Sequence, residues 1–128
     1  MSEWTPDLRL RAVRGAVQSD RNDEESILGS TEELLRALIE RNGLEPELMV
    51  SCIFTCTGDL DAQFPAVAAR RLGLDRVPLI CAREIGVPGA MERVIRVIVH
   101  YYAPADHDPA HAYLGEARKL RSDLHSAQ

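Results

Sequence analysis

The sequence predicts an α+β fold, a mixed β-sheet carrying one long and one short helix. Three observations lead there. Four stretches, residues 8–15, 49–57, 77–84 and 93–102, are rich in β-branched residues or alternate in polarity as strands do. Residues 24–42 instead repeat their apolar positions at helical spacing. Glycines and prolines stand at the junctions between these segments.

Taken in order, residues 1–7 read as a polar N-terminal extension, and residues 8–128 as one domain. From Leu8 the chain alternates through Leu10 and Ala12 to Val13, a strand expected to end at Gly15. Residues 18–23 form a polar loop with Asp20 and Asp23 as helix caps. In the long helix Ile27, Leu28, Thr31, Leu34, Leu35, Leu38 and Ile39 share one face, and Gly43 is placed to end it. The second strand, 49–57, breaks at Gly58-Asp59. Residues 65–72 make the short alanine-rich helix, with Pro65 in its first turn and Gly73 after it. Strands 77–84 and 93–102 flank a turn at 86–89, and a weak turn or helix follows from Pro109. One amphipathic helix cannot cover both faces of such a sheet, so the second face is expected to be buried against other copies of the chain.

The bulk properties narrow the class of function. A net charge of −5, with no dense basic run, argues against nucleic acid. The N-terminus has no secretory pattern and no apolar stretch approaches the ~20 residues that span a bilayer, which predicts a cytoplasmic protein away from membranes. Three cysteines, Cys52, Cys56 and Cys81, are an odd number. On one strand Cys52 and Cys56 would lie about 13 Å apart, too far to bridge.

Arg96 is the chemical anomaly. It interrupts Val94-Ile95-Arg96-Val97-Ile98-Val99, a run that reads as a buried strand. Removing an unpaired charge from water costs several kcal/mol, so the guanidinium must meet an anion, from the protein or from a ligand. Arg14 also lies in an apolar strand context, and Arg70 on the short helix could complete a carboxylate-binding cluster. Glu84 closes its strand as a counter-ion to Arg96, a general base or an acceptor for a substrate hydroxyl. Tyr113 is a packing aromatic or a phenol donor. His107 and His111 lack a third ligand in range and are separated by Pro109, so no metal site is expected. No Ser/His/Asp order, phosphate loop or CxxC motif occurs.

Six segments in one order resemble a known family. They are Arg11-Ala12-Val13-Arg14-Gly15-Ala16, Phe64-Pro65-Ala66, Val77-Pro78-Leu79, Arg93-Val94-Ile95-Arg96-Val97, His111-Ala112-Tyr113-Leu114 and Leu120-Arg121-Ser122-Asp123-Leu124. Together they resemble the trimeric bacterial chorismate mutases. That resemblance implies a homotrimer forming a pseudo-α/β barrel, with active sites at the subunit interfaces. It also implies the Claisen rearrangement of chorismate to prephenate, on the route to phenylalanine and tyrosine. It implies that Arg14 holds a substrate carboxylate beside Tyr113, that Arg96 meets the ether oxygen of the breaking bond, and that Glu84 accepts from the ring hydroxyl near Cys81. Arg70 and Arg121 would stand near the entrance and the ring carboxylate, with Phe64 and Ala66 as walls. Val67 and Ile80 replace an expected lysine and threonine, removing polar contacts at the rim.

This chemistry agrees with the motif content. A unimolecular [3,3] shift uses no nucleophile, proton transfer, metal or cofactor; it needs orientation and charge. Alternatives are a trimeric protein that binds a small carboxylate without converting it, an imine-deaminase-like enzyme on the same scaffold, and a purely structural Arg96–Glu84 pair. Cys81 and Glu84 are three residues apart, so a regular strand would send them to opposite faces.

Overall fold

The computed structural model describes residues 7–121. Five strands, β1 (Leu8–Gln18), β2 (Met49–Cys56), β3 (Leu79–Arg83), β4 (Val94–Pro104) and β5 (Ala112–Tyr113), form one mixed sheet in the order β3-β2-β4-β1-β5. Helices α1 (Glu24–Asn42) and α2 (Ala66–Arg71) complete the predicted α+β class. The central strand β4 pairs antiparallel with β1 and β2, whereas β2–β3 and β1–β5 are parallel.

α1 begins and ends where its caps dictate. The Asp23 carboxylate accepts from the Ser26 amide at 2.7 Å, satisfying one of the free donors of the first turn. Gly43 takes the left-handed conformation, φ 58°, and its N–H donates to the Ile39 carbonyl. The apolar stripe of Ile27, Leu34, Leu35 and Leu38 then packs on Val13, Val17, Phe54, Ile95, Val97 and Val99. Each of these side chains contributes about 1.5–3 kcal/mol by leaving water.

Register shows that every second strand residue belongs to this core and the rest to an open face. Arg14 is opposite Ile98 and Ala16 opposite Arg96; across β2, Ile53 is opposite Ile98 and Thr55 opposite Arg96. The run around Arg96 is therefore buried on one side only. Ile95, Val97 and Val99 are in the core, while Arg96, Ile98 and His100 are half-buried on the open face. That face is also apolar: Leu10 is 55% exposed and Ile80 60%.

Four expectations about element limits are corrected. β1 does not end at Gly15 but runs to Gln18; a Cβ at Gly15 would sit 2.5 Å from the Ala112 carbonyl oxygen and 2.8 Å from Leu34 Cδ1, so glycine admits close packing inside a strand. The tail is not merely a turn or helix. Asn42, buried at the end of α1, donates to the Ala110 carbonyl at 3.0 Å and accepts its amide at 2.7 Å, which docks β5 alongside β1. β4 starts at Val94 because Arg93 has φ 52°, with its amide donating to the Asp59 carboxylate at 3.0 Å. β3 is shorter than expected at its start, where Pro78 has no N–H to give a ladder; the Pro78 carbonyl accepts from Cys52. Residues 1–6, Ser122-Asp123-Leu124 of the last motif and the rest of the C-terminus lie outside the described residues.

Candidate active site

The open face gathers four of the expected residues. Glu84 follows β3 directly: its amide donates to the Cys56 carbonyl at 2.8 Å, and its carboxylate turns onto the open face. There Thr55 Oγ1 donates to Glu84 Oε2, and Arg96 Nε lies 3.4 Å from the same oxygen. Arg14, Ile53, Thr55, Arg96, Ile98 and Tyr113 line a hollow of about 170 Å³. Tyr113 reaches it because β5 pairs Tyr113 beside Ala16.

The Arg96–Glu84 contact does not exhaust the arginine. Its side chain is 37% exposed, and Nε, although buried, has no hydrogen-bond partner among the described residues. The pair runs through Nε, and the two terminal nitrogens carry no hydrogen bond among the described residues, so the planar fork stays available to an anion. The anion demanded by the sequence is thus in part a protein carboxylate.

The remaining expected residues lie elsewhere. β3 is regular from Leu79 to Arg83, with Cys81 opposite Phe54, so Cys81 points to the helix side and Glu84 to the open side. Cys81 lines a second cleft, of about 350 Å³, with Cys56, Leu60, Phe64 and Arg83. Phe64 is 67% exposed at its edge, Ala66 is a core residue at 3%, and Arg70 is exposed on α2. Arg121, exposed at the end of the described chain, is near enough to His111 to act on its charge. Burial pushes the Cys56 thiol up to about 11 and Cys52 up to about 12, so both stay protonated at neutral pH.

Two further contacts around these residues escape a reading of the sequence. Thr55 looks like any strand threonine; only its pairing opposite Arg96 singles it out. The spacing of His111 suggests nothing beyond a metal ligand, yet its Nδ1 accepts from the Arg14 amide at 3.2 Å, which puts the neutral ring's proton on Nε2. His107 instead pairs with Tyr101 Oη at 2.7 Å.

Burial, then the charges of Arg14 and Arg121, hold the His111 pKa below its ordinary value of 6.5. Because the folded value is the lower one, the folded state favours the neutral ring. Its contribution to stability is complete above about pH 6.5 and is lost as pH falls through the folded pKa. Between about pH 7.5 and about pH 5.5 the wild-type Tm is expected to fall more steeply than that of His111→Asn, in thermal melts followed by circular dichroism. Parallel slopes would remove His111 from the acid limb.

The chain matches the family model "Chorismate mutase type I" over residues 10–124. It is 46% identical over 121 residues to chorismate mutase AroH of Thermus thermophilus, covering 93% of this chain and 99% of that protein. To chorismate mutase AroH of Bacillus subtilis it is 39% identical over 119 residues, 91% of this chain and 94% of that one. A solved structure of chorismate mutase from Clostridium thermocellum superposes with a TM-score of 0.81 at 43% identity, covering 86% of this chain and 99% of that chain. With the match running through every strand of the sheet, the chain belongs to the type I chorismate mutase family.

Proposed function

We propose that the protein is a chorismate mutase, an isomerase that rearranges chorismate to prephenate for aromatic amino acid biosynthesis, with its reacting centre on the open face of the sheet. The observation that carries the placement is the convergence of Arg14 and Arg96 on one hollow beside Tyr113, with the Glu84 carboxylate against Arg96. In this reading Arg14 fixes a substrate carboxylate, which folds the enolpyruvyl arm over the ring and supplies the orientation. Glu84 accepts from the ring hydroxyl. As the C–O bond breaks ahead of C–C formation, negative charge grows on the ether oxygen, and the Arg96 terminal nitrogens stabilise it there more than in the ground state.

Two observations support a site shared between copies of the chain. The hollow, at about 170 Å³, is smaller than the roughly 300 Å³ at which ligand pockets begin. Cys81 points to the helix side of the sheet, with Phe64 lining the same cleft, whereas Arg96 points to the open side, so within this fold one chain keeps the two groups apart. Packing the open face of one copy against the cleft side of another would join them and cover the exposed Leu10 and Ile80. A homotrimer closed into a barrel does this for three sites at once. Its location is proposed as the cytoplasm; among the described residues no helix is long and apolar enough to cross a membrane.

The test is direct. Purified protein is expected to convert chorismate to prephenate, followed by loss of chorismate absorbance, well above the uncatalysed rate. Turnover indistinguishable from buffer would refute the assignment. The carboxylate-binding and imine-deaminase readings gain no support, since the relatives described above are named as chorismate mutases.

A further inference from the structure

We propose that Thr55 is a positioning residue for this site: its hydroxyl holds Glu84 so that the Arg96 fork stays open to substrate. The inference rests on the chorismate mutase reading above and adds to it a group that the reading does not use. β2 places Thr55 directly across from Arg96, with both side chains on the open face. Thr55 Oγ1 donates to Oε2 of Glu84, the same oxygen that lies 3.4 Å from Arg96 Nε.

An arginine and a carboxylate left to themselves favour a bidentate pair, two parallel N–H···O bonds. Here that arrangement is absent: Nε is buried without a hydrogen bond among the described residues, at ion-pair distance from an oxygen already engaged by Thr55. A hydroxyl donating to a carboxylate makes a short, charge-assisted bond, and a β-branched threonine is stiff at χ1, so the donor is fixed in direction. The bond turns Glu84 off the line of the guanidinium. It leaves Oε1 free to accept from a substrate hydroxyl and leaves the Arg96 terminal nitrogens for the ether oxygen. Without the hydroxyl, Glu84 can swing into a full clamp on Arg96, neutralising the charge that the transition state uses.

Thr55→Val keeps the shape and removes the donor; Thr55→Ser keeps the donor. Steady-state kinetics with chorismate should show kcat of Thr55→Val down by about 10- to 100-fold with KM changed less than about threefold, since the loss is in transition-state stabilisation. Thr55→Ser should recover kcat to within several-fold of wild type. Melting temperatures establish that the variants fold, and Thr55→Ala replaces the valine variant if that one does not. Wild-type kcat in the donor-less variant, a loss confined to KM, or a serine variant as slow as valine would each overturn the proposal, the last by showing that the methyl matters and not the hydroxyl. A wild-type protein without turnover removes the activity assignment and this proposal with it, whereas an active wild type with an unaffected Thr55→Val removes only the proposal.

Discussion

Arg96→Lys is expected to lower kcat by about 10²- to 10³-fold, the loss typical of removing one donor aimed at charge that develops in a transition state. Lysine keeps the positive charge but not the fork. Its ammonium is a single point on a flexible stem, and beside Glu84 it would settle on the carboxylate, 3.4 Å from the present Nε, instead of reaching past it. The fold should survive, because residue 96 lies on the open face and not in the core behind it. Steady-state kinetics with matched thermal melts checks both halves of this expectation. Full turnover in Arg96→Lys would mean that the guanidinium serves only Glu84, the structural pairing that the sequence leaves open.

A second large effect concerns mixtures. In the proposed shared site, Arg96→Lys is expected to disable the open-face half, and Arg70→Ala, which removes an exposed charge from α2, is expected to weaken the opposite half by about 10- to 100-fold in kcat/KM. If each site takes one half from each of two copies, co-refolding equal amounts of the two variants creates some sites with both halves intact. Random assembly makes this roughly one interface in four, so activity should rise to about a quarter of wild type, far above the sum of the separate variants. Recovery that does not exceed that sum would place each site inside a single chain. Sedimentation of the wild-type protein gives an independent check, with a mass near three times the 14.2 kDa of one chain expected for the trimer.

Much of the fold was legible because local signals and tertiary packing agree. The α1 stripe, the Asp23 cap and the Gly43 stop are short-range features, and α1 forms over residues 24–42 as those signals predict. Strand limits were less legible where distant groups intervene. Gly15 resembles a strand breaker, yet it is retained inside β1 by the approach of Ala112, nearly a hundred residues on. β5 has too few residues to signal itself, and exists because Asn42 bonds to the backbone of Ala110. Arg93 stands at the head of a β-branched run, but the Asp59 carboxylate holds it in a left-handed bend.

For the candidate site, the sequence by itself put forward the cast: arginines planted in apolar strands need anions, Arg14 and Arg96 stand out by that context, and Glu84 is one candidate partner. Only the tertiary structure decided how they are divided. A strand's alternation sorts its residues between two faces, but which face is the core depends on where α1 packs, and which residues become neighbours depends on the pairing of β4 with β1 and β2. That pairing turned Arg96 from a charge in a doubly buried strand into a half-exposed group on an uncovered apolar face and set Thr55 opposite it, while the register of β3 on β2 sent Cys81 to the other side. The period of two is written in the chain, whereas the identity of the opposing residue is a long-range choice that no local preference encodes.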